Sequence, residues 1–194
     1  MAKARARVAS TPPRSKFRGL DPGRRRSGTD AERESARRRI GSLLGMASGV
    51  AFNHLGHCVT DLARSRRFYE ELLGFEVERE LHPPDDPSST LLRLPKPLGM
   101  TALYLRRDGL VLELLHFERG TKPPRERVMN EPGLTHVSVS VDDVDAVCVR
   151  VAEYGGEVLA DTNIGFGVFI RDPDGQLIEL LPMAYREQLD AGEA

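Results

Sequence analysis

Two histidines and two glutamates stand at matching places in this chain, and their types suit metal chemistry. His54 and His136 are 82 positions apart, and each opens a short segment of strand character. Glu113 lies within Leu110–Leu115 and Glu179 within Leu177–Leu181, runs that are otherwise apolar on both faces. An ionised carboxylate in such a strand is costly unless something compensates it, and a cation is the obvious compensator. Two imidazoles and two carboxylates, one pair in each half, form a donor set for Ni, Co, Fe, Mn or Zn, with water in any open position. The set is too rich in nitrogen for Ca and lacks the thiolates of structural Zn.

Side chains alternate along a strand with period two. His54, Gly56 and Cys58 therefore share one face, opposite Leu55, His57 and Val59. In the second half His136, Ser138 and Ser140 share a face, opposite Val137, Val139 and Val141. Both candidate histidines point away from the side that packs under a helix. The bland alternative is that each His or Glu is a satisfied core polar group; four at equivalent positions weigh against it. The other histidines carry less. His57 takes the helix-facing position of Val139, His116 lies on the face opposite Glu113, and His82 sits in a loop. Cys58 and Cys148 read as small buried apolar residues, with Cys58 at the border of a pocket.

The elements that position these residues recur. Asp61 and Asp143, and Gly74 and Gly156, keep the same 82-residue offset as the histidines. Asp61 and Asp143 are natural helix N-caps, and Gly74 and Gly155-Gly156 suit the helix exits. Leu62, Phe68, Tyr69, Leu72 and Leu73 mark one apolar helical stripe, and Val144, Val147, Val151 and Tyr154 the other. Strands are expected at 75–80, 101–106 and 110–117, then at 157–161, 167–171 and 176–182. The closing turn is Asp172-Pro173-Asp174-Gly175. Each half is thus strand–helix–three strands, and the fold class is α+β. Glu113 and Glu179 are only 66 positions apart, so the first half holds 16 extra residues, expected as a loop within 82–97.

The remainder of the chain bounds the function. It has 194 residues, 40% apolar and 29% charged, with a net charge of -1. Residues 1–45 carry 13 of the Lys and Arg and 4 of the Asp and Glu, so the rest is acidic. Residues 1–49 read as a disordered basic arm, with Met46 as an alternative start that would leave the arm unmade. The modules are expected at 50–117 and 134–183, joined by a polar linker at 118–133 and followed by a tail at 184–194. No apolar run approaches the ~18 residues of a membrane span. Two cysteines exclude a disulfide framework and point to the cytoplasm. An acidic folded part with no Trp and no reading motif argues against nucleic acid as a partner.

The segments His54-Leu55-Gly56-x-x-Val59-x-Asp61-Leu62 and Arg64-Ser65-x-x-Phe68-Tyr69-x-x-Leu72-Leu73-Gly74-Phe75 resemble the opening of vicinal oxygen chelate proteins. His136 and Asp172-Pro173-Asp174-Gly175-Gln176-Leu177-Ile178-Glu179-Leu180 match the family's second module. That superfamily includes glyoxalase I, methylmalonyl-CoA epimerase, extradiol dioxygenases and bleomycin or fosfomycin resistance proteins. The resemblance covers about residues 50–183. It implies two βαβββ modules forming a cupped mixed β-sheet with flanking helices around one divalent metal ion (Ni, Co, Zn, Mn or Fe).

The implied metal ligands are His54, Glu113, His136 and Glu179, an order similar to bacterial metal-dependent glyoxalase I. The implied activity is that of a lyase or isomerase acting on a small oxygenated substrate. It moves a proton beside a carbonyl through a metal-bound enediolate, with Glu179 as base and Glu113 as its symmetry mate. A homodimer is implied by the same analogy. The sequence leaves open whether the site lies within one chain or across two. Cys58 stands where glyoxalase I has an Arg that helps hold the glutathione carboxylate, and Arg125 and Arg127 are the speculative replacements. The alternatives are a non-catalytic drug-binding protein with a cup of Met100, Leu103, Phe166 and Phe169, an Fe-dependent extradiol dioxygenase, or a CoA-ester epimerase. Phe169 in place of a Tyr, and no His at 160–162, weigh against the dioxygenase; Glu113 in place of a Gln weighs against the epimerase.

Overall fold

The computed structural model describes residues 49–119, 121–123 and 128–192. By contacts the chain divides into residues 1–51 and 52–194. The expected arm, the Met46 start and Arg125 and Arg127 lie outside the described residues. Strands β1 (Leu55–Val59), β2 (Glu76–Leu81), β3 (Met100–Arg107) and β4 (Leu110–Phe117) form one sheet in the order β1-β4-β3-β2. Strands β5 (His136–Val141), β6 (Glu157–Leu159), β7 (Val168–Arg171) and β8 (Leu177–Pro182) form a second in the order β5-β8-β7-β6. In both, the first strand pairs parallel with the fourth and the other pairings are antiparallel. The two βαβββ modules expected from the repeat are therefore present, as two separate four-stranded mixed sheets with flanking helices.

The helices between first and second strands are α1 (Leu62–Arg67), which continues as a wider π-type turn over Phe68–Leu72, and α3 (Val144–Val151). Each starts as its sequence requires. The Asp61 carboxylate accepts from the Arg64 N–H at 3.0 Å, and the Asp143 carboxylate from the Ala146 N–H at 2.9 Å. An N-cap of this kind satisfies a backbone donor that the first turn leaves unpaired. Phe68, Tyr69, Leu72 and Leu73 from the first module join Val151, Tyr154, Ile170, Ile178 and Leu180 from the second in one buried cluster. Gly156 sits where this contact is tightest: a Cβ there would lie 2.6 Å from the Arg171 carbonyl oxygen and 2.7 Å from the Phe68 ring.

The 16-residue excess is not a plain loop. It holds α2 (Asp85–Leu92), in which Asp86 has extended backbone angles, so the regular helix begins at Pro87. Proline is well placed at a first helical position because the N–H it lacks would have no partner there. The segment after β8, expected as a tail, is α4 (Met183–Ala191), which packs against β5 and β8.

The modules are also tied together by polar groups. Asp172 and Asp174, in the turn between β7 and β8, are only 3% and 8% exposed. The Asp172 carboxylate meets His57 Nε2 at 2.7 Å and accepts from the Tyr69 hydroxyl at 2.9 Å. Its other oxygen accepts from the Asp174 and Gln176 N–H groups at 2.9 and 2.8 Å. Asp174 accepts from the Thr60 N–H at 3.0 Å, the Thr60 hydroxyl at 2.5 Å and the Ser65 hydroxyl at 3.0 Å. The Arg64 guanidinium reaches it at 3.4 Å. Every side-chain partner of these two carboxylates comes from the first module.

Removing one partner from such a network strands the others. Asp174→Ala should lower stability by about 2–4 kcal/mol in denaturant unfolding of the full chain, because Thr60, Ser65 and Arg64 lose their acceptor. Burial first, and then the charge and hydrogen bond of Asp172, push the Tyr69 phenol well above its ordinary range. A raised phenol holds its proton more tightly when folded, so its contribution is full below the unfolded value near 10 and is lost above it. Stability measured against pH should therefore fall above about pH 10, and less steeply in Tyr69→Phe.

Candidate metal centre

Strand register places each candidate ligand. Glu113 sits in the middle of β4, opposite Gly56 of β1 on one side and Tyr104 of β3 on the other. Its neighbours Leu112 and Leu114 are buried in the core cluster, so the carboxylate takes the other face. Glu179 sits in β8 opposite Ser138 of β5 and Phe169 of β7. The two glutamates thus occupy the same node of the same topology.

Each histidine meets the glutamate of its own module. His54 Nε2 lies 3.1 Å from Glu113 Oε2, and His136 Nε2 lies 3.6 Å from Glu179 Oε2. In both, the preceding residue holds the second ring nitrogen. His54 Nδ1 donates to the Asn53 side-chain oxygen at 2.6 Å, and His136 Nδ1 meets the Thr135 hydroxyl at 2.9 Å. With its Nδ1–H given to the Asn53 oxygen, His54 keeps the Nε2 lone pair, the state a metal needs. The donor chemistry of each pair therefore fits half of a metal centre.

Within the chain the four residues stand as two pairs. Among the described residues no group of three or more His, Cys, Asp or Glu side chains is placed to hold an ion. A cavity of about 310 Å³ between β1 and β5 is lined by Gly56, His57, Cys58, Tyr69 and His136, and neither glutamate lines it. The chain carries two separate His–Glu pairs.

Their surroundings differ. Around Glu113, the Tyr104 hydroxyl donates to Oε1 at 2.5 Å, and the side chain is 11% exposed. Burial, the hydrogen bond to Glu113 and its charge raise the Tyr104 phenol above its usual value. The Arg79 guanidinium, 4.4 Å from the ring centre, opposes this shift without reversing it. Tyr104 is thus a donor at neutral pH. Around Glu179, the Ser138 hydroxyl donates to Oε2 at 2.8 Å, Phe169 offers no hydroxyl, and the side chain is 30% exposed.

His57 is bound to Asp172, as a structural role requires. Cys58 is exposed rather than buried, because the edge strand β1 leaves one face uncovered; it borders the cavity, and partial burial of the thiol with the nearby Asp174 charge raises its pKa. Leu103 cannot line a cup: it alternates with Tyr104 and is buried in the core. Phe166 is largely exposed at a different cleft, beside Asp142 and Pro182. Tyr104, Asn53 and Thr135 were not singled out from sequence, and Ser138 only as sharing the face of His136. Tyr104 was findable, since a two-residue turn at Asp108-Gly109 sets the β3–β4 register and places it opposite Glu113.

Residues 51–180 match the family model of the Glyoxalase/Bleomycin resistance protein/Dioxygenase superfamily. Glyoxalase I of Saccharomyces cerevisiae is 29% identical over 144 residues, which are 69% of this chain but only 44% of that protein. The lactoylglutathione lyase of Pseudomonas putida is 29% identical over 151 residues, 67% of this chain and 83% of that protein. That of Escherichia coli O157:H7 is 28% identical over 145 residues, 69% and 90%. Among solved structures, the trypanothione-dependent glyoxalase I of Leishmania major superposes with a TM-score of 0.53 at 26% identity, over 75% of this chain and all of that one. A glyoxalase family protein of Bacillus cereus shares the fold, with a TM-score of 0.56 at 19% identity, over 69% of this chain and 93% of that one. With the family model spanning well over half of its length, and the paired histidines and glutamates at equivalent nodes of two βαβββ modules, this chain belongs to the glyoxalase/bleomycin resistance protein/dioxygenase superfamily.

Proposed function

We propose that this chain is a metal-dependent glyoxalase I-like lyase that moves a proton beside the carbonyl of a small oxygenated substrate. The carrying observation is the repeated His–Glu pair, each with its Nε2 turned toward a carboxylate and its Nδ1 held by the preceding side chain. His54, Glu113, His136 and Glu179 would hold one divalent ion. When bound, that ion acts as a Lewis acid toward the substrate oxygens. The names of the relatives support a thiol adduct of a 2-oxoaldehyde, such as the glutathione adduct, as the substrate class.

Within that centre the two carboxylates have different work. Glu179 is the base: it is the more exposed, it is held by one serine hydroxyl, and a carboxylate must be free to move a proton. Glu113, buried and held by Tyr104, serves as a fixed ligand. Because the half-sites stand apart within the chain, the complete centre forms between two copies in a homodimer, the first-module pair of one facing the second-module pair of the other. An isologous dimer of this kind carries two identical centres.

Elemental analysis of the purified full chain, stripped and offered Ni, Co, Mn, Fe and Zn, should find about one tightly held ion per chain. No uptake under any condition would remove the metal-centre reading. Glu179→Gln should retain the ion and lose on the order of 10²–10⁴-fold in kcat on the methylglyoxal–glutathione adduct. Glu113→Gln should instead bind the metal more weakly. Mixing the two variants under subunit exchange, at a metal concentration where each alone is inactive, should restore up to about a quarter of wild-type activity, since half the dimers are mixed and each has one intact centre. No recovery would place all four ligands within one chain.

A further inference from the structure

The two modules place their ligands on one plan but support them differently. Tyr104 and Phe169 are register equivalents: each lies directly opposite its module's glutamate on the neighbouring antiparallel strand. Each ring also meets its histidine edge-on, His54 with Tyr104 at 5.6 Å and His136 with Phe169 at 5.3 Å. The one chemical difference is the hydroxyl of Tyr104, which donates to Glu113 Oε1 at 2.5 Å while Oε2 faces His54. The ring that carries this hydroxyl is itself held, buried to 8% exposure and covered by the Arg79 guanidinium at 4.4 Å. At the register position facing each glutamate from the first strand, Gly56 has no side chain to offer and Ser138 has a hydroxyl. Among the described residues, Tyr104 thus supplies the one hydroxyl that meets the Glu113 carboxylate, on the oxygen that His54 leaves free.

We propose that Tyr104 is a positioning residue of the metal centre, holding one oxygen of Glu113 so that the other is presented beside His54 Nε2. This rests on the metal-centre reading above. A carboxylate free at both oxygens can rotate or chelate through both. One whose far oxygen is held by a fixed phenol offers a single lone pair in a set direction. Outer partners of this kind typically tune metal affinity by ten- to a hundredfold. The second module has no equivalent hydroxyl on β7, so Glu179 keeps the freedom that its role as base demands.

The test is Co(II) titration of the full chain, followed by its visible spectrum. Tyr104→Phe keeps the ring, its packing and the Arg79 contact, and removes only the hydroxyl. It should unfold at nearly the wild-type temperature, bind Co(II) at least about tenfold more weakly and show a changed d–d band, because the ligand field loses a fixed carboxylate. An affinity within about twofold of wild type with an unchanged band overturns the proposal and leaves the metal centre intact. Wild-type chain that takes up no Co(II) overturns both. Should Tyr104→Phe not fold, Phe169→Tyr reads the same contact in the second module. The added hydroxyl should tighten Co(II) binding, and no tightening overturns the proposal.

Discussion

Two buried carboxylates in one turn govern how this molecule holds together. Asp172 and Asp174 follow β7, where the chain reverses into β8, and neither is left to water. Burying two charges within a few residues is tolerable only if each finds donors. Part of that need is met by the turn's own N–H groups, and the remainder by His57, Thr60, Arg64, Ser65 and Tyr69 of the first module. The turn of one module is therefore satisfied only when the first strand and helix of the other are docked on it. The apolar contact of Phe68 with Gly156 and Val151 reinforces the same junction.

This junction has a consequence for the chemistry. It uses the face of β1 that carries His57 and the helix that follows, which leaves the face with Gly56 and Glu113 for other work. The strand period of two makes these assignments exclusive, since a residue cannot serve both faces. His54 and His136 accordingly end beside their own glutamates rather than beside each other.

Repetition and divergence have separate signatures. The plan of each half-site is repeated in detail: histidine at the strand start, a polar residue before it holding Nδ1, glutamate on the fourth strand, an aromatic ring opposite. The divergence is confined to what touches the carboxylates, a buried phenol in one module and an exposed serine hydroxyl in the other. Two carboxylates that are equal in sequence pattern become unequal in burial and in hydrogen bonding. Such inequality in surroundings is how two like carboxylates come to differ in chemistry.

Much of the fold was legible because its signals are local. Asp61 and Asp143 cap helices through their own backbone neighbours, Asp172 to Gly175 turn the chain through their own angles, and strand alternation assigns faces without any partner. The 82-residue offset then doubled every one of these signals. The same reasoning was less successful where a residue's role depends on what packs against it. The insert around Asp85 reads as loop from its prolines yet holds a helix, and the segment after Pro182 forms a helix against β5 and β8. Leu103, assigned to a cup, belongs to the core. Sequence alone singled out His54, Glu113, His136 and Glu179 as the candidates, since donor type and lone charges in apolar strands are properties of the chain. Tertiary structure alone decided that each histidine pairs with the glutamate of its own module, that Tyr104 meets Glu113, and that two aspartates of a turn join the modules. Those depend on distances between residues far apart in the chain, which no local pattern encodes.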